Sequence, residues 1–230
     1  MSAFKTQFNS AKTLRVLARL LSYPTPGVRA HLGEMRAVLH RERALGATRL
    51  GELDGLIRGI ERQSAIDAEA DYVQLFDSGR STSLHLFEHV HGDSRDRGPA
   101  MIDLAQTYER AGLYLEIGEM PDHLPVVLEY ASTQPPAEAR ALLGEIAHIL
   151  NVVFNALAKR GSRYASVLGA LLELAGEPAK TVSVPDDEPL DESWAEPAAF
   201  DGCASRGQSR PGQAQPIAIV RPASIQGARS

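Results

Sequence analysis

The sequence is poor in residue types on which whole classes of protein depend. It has a single cysteine, Cys203, so an intramolecular disulfide and a cysteine-based zinc site are both excluded. Only 6% of its residues are aromatic, and no apolar run approaches the roughly 20 residues that a membrane span requires. These absences favour a reducing compartment and predict no direct insertion into a membrane.

Positive charge is also scarce. Lysine and arginine number 24, against 29 aspartate and glutamate residues, and the formal net charge is -5. No basic run is dense enough to neutralise a phosphate backbone, so we expect no nucleic-acid partner. Residues 1–22 carry basic residues throughout and lack the continuous apolar core of a signal peptide. We therefore expect a cytoplasmic protein.

Helical periodicity runs through most of the first 175 residues. Apolar side chains recur at helical spacing, and proline or glycine interrupts the pattern at intervals. The segments predicted as helices are 10–22, 26–45, 48–64, 67–77, 84–91, 99–116, 126–130, 136–160 and 164–175. No stretch shows sustained strand alternation. The predicted fold class is therefore all-α, with a single helical bundle.

The composition changes near residue 176. Beyond it the chain is rich in Pro, Gly, Ser, Ala and acidic residues, which bury too little apolar surface to form a core. We therefore predict a helical domain at 1–176 and a largely disordered tail at 177–230. An acidic part of this tail, with Trp194 and Phe200 as apolar anchors, would suit folding onto a surface. A purely solubilising tail fits the composition equally well.

The stretch from His85 to His91 has the most reactive-looking side chains. His85, Glu88 and His89 spell H-x-x-E-H, a pattern typical of one class of zinc peptidases. On a helix the two histidines would share one face and could share a metal. No third ligand stands out in the sequence. A structural histidine cluster bonded to backbone or carboxylate groups is the other interpretation, so a zinc metallopeptidase stays the alternative function.

The segment Pro121–Pro125 reads Pro-Asp-His-Leu-Pro. Its two prolines fix the backbone around Asp122 and His123, so the side chains would be presented in a rigid loop. Rigid exposed loops often carry recognition. The same pattern also suits a helix N-terminus that Asp122 caps, and the two interpretations are compatible.

An aromatic and aliphatic face occupies the predicted helix 67–77. Tyr72, Leu75 and Phe76 fall on it at helical spacing. Such a face usually belongs to a core, although it would also suit the wall of a binding groove.

Three segments taken together resemble one protein family. Asp71–Asp77 reads DYVQLFD, Ser83–Gly98 reads SLHLFEHVHGDSRDRG, and Pro121–Pro125 reads PDHLP. In combination and order they resemble the nitrate reductase molybdenum cofactor assembly chaperones, also called the delta subunit, over roughly residues 10–175. That family resembles a branch of the helical chaperones that serve molybdoenzymes. The resemblance implies the same all-helical fold that the periodicity predicts.

The resemblance implies a chaperone and not an enzyme. Its partner would be the apo nitrate reductase catalytic (alpha) subunit, bound through that subunit's N-terminal peptide, with the alpha-beta complex as a further partner. Binding would keep the partner competent for insertion of molybdenum cofactor and iron-sulfur clusters. The chaperone itself would hold no cofactor or metal and would not remain in the finished enzyme.

The resemblance also implies which residues contact the partner peptide. An amphipathic peptide laid in a groove needs an apolar wall and a polar rim. We expect the apolar wall to consist of Tyr72, Leu75, Phe76 and Phe87. We expect the polar edge to consist of His85, His89, Arg95, Asp122 and His123.

Overall fold

The computed structural model describes residues 10–92 and 94–182. Within these residues the chain forms eleven α-helices and one 3-10 turn, without a strand. The predicted all-α class is therefore confirmed. Of the predicted tail only residues 177–182 are described; the rest of it, with Trp194 and Phe200, lies outside the described residues. The boundary at residue 176 stays a prediction.

The helices are labelled here in chain order. The first five are α1 Ala11–Leu20, α2 Pro26–Ala30, α3 Leu32–Glu42, α4 Ala47–Arg62 and α5 Ala65–Phe76. After a 3-10 turn at Arg80–Thr82, the remaining helices are α6 Leu86–Val90, α7 Arg97–Arg110, α8 Leu124–Thr133, α9 Pro136–Glu145, α10 Ala147–Lys159 and α11 Ala165–Ala175.

Two segments predicted as continuous helices are each broken in the structure. Segment 26–45 divides at His31 into α2 and α3, and segment 136–160 divides at Ile146 into α9 and α10. Ile146 leaves the helical conformation with ψ of 1°, and the pair bends by 64°. The bend lets both α9 and α10 pack against α11, so the long apolar stripe wraps the core.

The predicted helix 99–116 ends early, at Arg110 of α7. Gly112 adopts φ of 79°, in the left-handed region, and the backbone N–H of Leu113 donates to the carbonyl of Tyr108 at 3.0 Å. This closure satisfies a carbonyl of the last turn and stops the helix. Residues 111–120 form a loop instead.

The core lies around α11. This helix packs against α1, α4, α9 and α10, while α1 also packs against α3 and α8. Leu168 and Leu171 of α11 and Leu150 of α10 are fully buried. Within the described residues no single helix is long and apolar enough to cross a membrane; α9 and α10 reach that length and composition only as a bent pair.

Candidate functional site

Two of the segments that carry the resemblance lie side by side. An isolated antiparallel bridge pairs His85 with His123. The backbone N–H of Leu86 donates to the carbonyl of Asp122 at 3.0 Å, and that of Leu124 donates to the carbonyl of Leu84 at 2.9 Å. We call residues 83–91, Arg97 and residues 121–124 the bridge site.

A buried carboxylate holds the bridge site together. Asp122 is 0% exposed, and its two oxygens accept from His85 Nδ1 at 3.2 Å and from the backbone N–H of Phe87 at 3.1 Å. Phe87 lies in the first turn of α6, where backbone N–H groups lack partners within the helix. Asp122 thus satisfies α6 rather than capping α8, its own following helix, which corrects that expectation. Pro125 does lie in the first turn of α8, as predicted.

Arg97 links the same carboxylate to α6. Its guanidinium lies 3.8 Å from Asp122 Oδ2 and 3.4 Å from Glu88 Oε1. Because Arg97 begins α7, the ends of α6, α7 and α8 are fixed to one another at this point. A buried carboxylate with these donors is costly to disturb, since each donor would lose a charge-assisted hydrogen bond or ion pair.

The two bridge-paired histidines have opposite electrostatics. Their rings stack with centroids 5.0 Å apart and an interplanar angle of 27°. The hydrogen bond to Asp122 raises the pKa of His85 above its usual value. Burial, together with the neighbouring charge of His85, lowers the pKa of His123 to about 4. Near neutral pH, His123 is therefore an uncharged ring, and it stacks on a histidine whose charged form is stabilised by the hydrogen bond to Asp122.

The histidine pair that the zinc-peptidase alternative requires is not formed. His85 precedes α6 with φ of -86° and ψ of 105°, so it does not share a helical face with His89, and that prediction is wrong. His89 Nε2 donates to the carbonyl of Ser83 at 2.9 Å. In the part of the chain that the structure describes, no three His, Cys, Asp or Glu side chains are grouped to hold a metal ion.

Tyr72 and Phe76 lie in an aromatic cluster. Their rings are 4.8 Å apart, and Tyr164 contacts both, at 6.4 Å and 5.2 Å between centroids. Tyr23 adds an edge contact to Tyr72 at 5.5 Å. Tyr72 and Phe76 are only 6% and 4% exposed, and the Tyr72 hydroxyl donates to the buried carbonyl of Leu21 at 2.8 Å. Both are core side chains here, which argues against direct contact with a peptide; their assignment to the apolar wall stays a prediction.

The remaining predicted contact residues are at or near the surface. Leu75 is half-buried beside a cavity between α4 and the segment 160–164. Phe87 is also half-buried and packs edge-on against His91 with centroids 5.3 Å apart. Arg95 is exposed. The structure therefore groups His85, Phe87, His89, Asp122 and His123 at the bridge site. Tyr72, Leu75 and Phe76 belong to a neighbouring part of the same hydrophobic core, against which Phe87 also packs.

The structure has a groove beside the bridge site that the sequence did not predict. Its volume is about 340 Å³, and it lies between α1, α8 and the loop 111–120. Its walls include Leu113, Leu115, Val126 and Tyr130, with Tyr108 beneath them and charged side chains at the rim. We call it the α1–α8 groove. The sequence did not indicate it because residues 111–116 belong to a predicted helix, and an apolar residue at helical spacing is expected to contact the core.

The loop 111–120 exposes large apolar side chains next to this groove. Tyr114 is 79% exposed, Ile117 is fully exposed and Met120 is 42% exposed. Met120 immediately precedes the bridge site. Glu119, at the groove rim, lies near enough to act on the charge of His123. Tyr114 and Glu119 of the loop line the groove, and the hydroxyl of Tyr108 beneath it donates to the carbonyl of Pro121 at 2.8 Å, so the groove adjoins both the loop and the bridge site.

Comparison with known proteins places the chain in a family. Residues 26–168 match the family model described as nitrate reductase delta subunit. The nitrate reductase molybdenum cofactor assembly chaperone NarJ of Escherichia coli K12 is 42% identical over 193 residues, which covers 80% of this chain and 82% of NarJ. NarJ of Bacillus subtilis 168 is 31% identical over 163 residues, covering 70% of this chain and 86% of that protein.

A solved structure agrees on the fold. A protein of Archaeoglobus fulgidus, described as a redox enzyme maturation protein, superposes with a TM-score of 0.52. The superposition covers 77% of this chain and 100% of that chain at 20% sequence identity, so the agreement concerns the fold alone.

These relatives decide between the two functions that the sequence left open. The named relatives are assembly chaperones and not catalysts, which confirms the prediction that the chain is not an enzyme and sets the zinc-peptidase alternative aside. The family match spans the bridge site and, in the aromatic cluster, Tyr72, Phe76 and Tyr164. The chain belongs to the nitrate reductase delta subunit family of molybdenum cofactor assembly chaperones.

Proposed function

We propose that this chaperone binds the N-terminal segment of an apo nitrate reductase catalytic subunit in the cytoplasm. Binding keeps that subunit competent for insertion of molybdenum cofactor and iron-sulfur clusters, and the chaperone leaves before the enzyme is complete. The observation that carries the proposal is the continuous apolar surface formed by the α1–α8 groove and the loop 111–120, directly beside the bridge site.

The α1–α8 groove suits an amphipathic helix. Helix-in-groove recognition places apolar side chains at helical spacing into a hydrophobic groove and leaves polar groups at the rim. Here the walls are aliphatic and aromatic, and Arg15, Arg19, Glu119 and Glu129 stand at the rim. Arg19 and Glu129 form an exposed ion pair at 3.2 Å, which a partner's own charged groups can replace at small cost.

The bridge site has a different role in this proposal. Asp122 is fully buried, so it acts by holding its neighbours in place rather than by touching a peptide. Through it, the ends of α6, α7 and α8 are fixed, and His85 and His123 are held next to the groove. Phe87, His89 and Arg95 extend the same edge and remain proposed peptide contacts.

A chaperone of this kind needs no cofactor of its own. A ligand shifts a conformational equilibrium by the difference between its affinities for the two states. Preferential binding to the open form of the catalytic subunit is therefore sufficient to keep the cofactor sites accessible. Release follows when the mature conformation no longer presents the segment.

The proposal is tested by calorimetry of the full chain against a synthetic peptide of the catalytic subunit's N-terminus. We expect saturable binding that a chelator does not change. Tyr114→Ala should weaken the affinity by roughly tenfold or more, as removal of a central aromatic anchor does. The variant should remain as stable as the original chain because Tyr114 is 79% exposed.

A matched pair of isoleucines provides the control. Ile117 lies in the loop 111–120 and is fully exposed, whereas Ile66 lies on α5 and is 78% exposed. Ile117→Ser should weaken peptide binding and Ile66→Ser should leave it unchanged. Equal effects of the two substitutions, or normal binding by Tyr114→Ala, would show that the peptide binds elsewhere.

A further inference from the structure

At Lys180 the chain passes along α10, and two asparagine side chains of that helix bind its backbone. The backbone N–H of Lys180 donates to Asn151 Oδ1 at 2.8 Å. The carbonyl of Lys180 accepts from Asn155 Nδ2 at 2.8 Å and from Asn151 Nδ2 at 2.9 Å. Asn155 lies one helical turn after Asn151, so the backbone proceeds from the middle of α10 toward its C-terminal end.

A second groove lies at that end of α10. Two cavities of about 580 Å³ and 390 Å³ share Ser162 and Arg163. Their walls include Gly55 and Gly59 of α4 and Phe154 of α10, which immediately precedes Asn155. We call this the Arg163 groove. It shares no lining residue with the α1–α8 groove.

The Arg163 groove is positively charged where the chain approaches it. Arg163 is exposed, and its guanidinium makes no hydrogen bond or ion pair with another described residue. Arg49 and Arg160 also line the two cavities, together with the carboxylates Glu52 and Asp71, so basic side chains outnumber acidic ones in the lining. A carboxylate placed here would complete a charge-assisted contact, for which the planar guanidinium of arginine is well suited.

The next residues of the chain supply carboxylates at the required distance. Residues 183–187 read Ser-Val-Pro-Asp-Asp, so Asp186 follows Lys180 by six residues. Six extended residues span up to about 20 Å. From Asn155 to Lys159, the end of α10, the helical rise amounts to about 6 Å, and the four residues from there to Arg163 span at most about 14 Å. The two aspartates are therefore within reach of Arg163.

We propose that residues 183–187 of this chain bind across the Arg163 groove, with Asp186 and Asp187 beside the Arg163 guanidinium. The direction in which the chain leaves α10, the chain length and the opposite charges all select this occupant. The groove is then occupied by the chaperone's own chain. A partner segment would then be confined to the α1–α8 groove, which shares no lining residue with the Arg163 groove.

Paramagnetic broadening in the full chain tests this contact. A nitroxide is attached to Val184→Cys in a Cys203→Ser background, and the amide signals of Gly55 and Gly59 are monitored. We expect both signals to broaden. Arg163→Glu should lower the ratio of bound to unbound segment roughly two- to five-fold, the range of one exposed ion pair. Adding Asp186→Lys and Asp187→Lys to Arg163→Glu should restore the broadening.

Three results would overturn the proposal. The first is broadening that Arg163→Glu leaves unchanged, or that the matched control Arg41→Glu, an exposed arginine of α3, lowers equally. The second is broadening of a labelled chain's signals by the nitroxide of a second copy in a mixed sample, which would make the occupant another molecule. The third is displacement of the segment by a saturating catalytic-subunit peptide, which would assign the Arg163 groove to the partner.

Discussion

The aromatic cluster and the bridge site both come from segments that carry the family resemblance, yet they are built differently. In the aromatic cluster, Tyr72 and Phe76 are almost entirely buried among other rings. In the bridge site a fully buried carboxylate is surrounded by half-exposed histidine and arginine side chains. A distinctive sequence motif thus forms a buried packing unit in one region and a polar junction near the surface in the other.

The energetic basis of the two regions differs accordingly. Buried aromatic side chains contribute through the apolar area they remove from water and through edge-to-face ring contacts. A buried carboxylate contributes little net free energy when fully bonded, but leaves its donors unpaired when it is removed. The aromatic cluster should therefore govern stability alone. The bridge site should affect both stability and partner binding.

The largest expected effect is that of Phe76→Ala. Removing a 4% exposed ring leaves a cavity against Tyr72 and Tyr164, so the free energy of unfolding should fall by about 3–5 kcal/mol. Urea denaturation followed by circular dichroism measures this loss. The fraction that remains folded should bind the catalytic-subunit peptide with unchanged affinity. Loss of affinity in the folded variant would show that the aromatic cluster contributes to peptide binding as well as to stability.

Asp122→Ala should have the next largest effect. His85, the N–H of Phe87 and Arg97 would all lose their acceptor, at a cost of about 2–3 kcal/mol. Peptide affinity should fall as well, because the ends of α6 and α8 are no longer fixed. Asp122→Asn keeps an acceptor oxygen and should lose less on both measures. An Asp122→Ala variant with normal peptide affinity would make the bridge site purely structural.

Tyr72→Phe isolates one hydrogen bond of the aromatic cluster. It keeps the ring but leaves the carbonyl of Leu21 without its donor, which should cost about 1.5 kcal/mol in the free energy of unfolding. Calorimetry should find the peptide affinity unaltered. A larger effect on binding than on stability would return Tyr72 to the peptide-contact residues.

Sequence reasoning recovered the all-α class because helical periodicity depends only on local spacing. It also identified the residues that meet at the bridge site, such as Asp122 and His85, because their motifs are distinctive. It could not establish the backbone bridge at this site, which pairs His85 with the distant His123. That Asp122 stabilises the first turn of α6, and not that of α8, depends on this tertiary pairing and not on the local sequence.

Burial was the property that the sequence left undetermined. Tyr72 and Phe76 have the same spacing whether their face packs inward or lines a groove, so only the positions of Tyr164 and Tyr23 settle the matter. The loop 111–120 shows the opposite case. Its apolar residues read as a helix until Gly112, with φ of 79°, ends α7 and exposes them.

The smallest expected effect concerns pH and separates the two histidines of the bridge site. The pKa of His123 is lowered from 6.5 to about 4, so between these values the unfolded chain binds a proton that the folded chain does not. Stability should therefore fall as the pH drops through this window. The loss attributable to His123 should be about 1 kcal/mol by about pH 5, with solvent exposure taken into account. His85 contributes in the opposite sense, since its raised pKa gives stability that is lost as the pH rises.

Urea midpoints measured from about pH 7 to about pH 5 test this assignment. The charges facing His123 are those of His85, Asp122 and Glu119, and only the first of these disfavours its protonation. His123→Gln should flatten the fall in stability toward acid pH, whereas His148→Gln, at an exposed position of α10, should leave it unchanged. If the slope of His123→Gln equals that of the original chain, the acid sensitivity comes from carboxylates, and the stacked histidines contribute to the bridge site by shape rather than by charge.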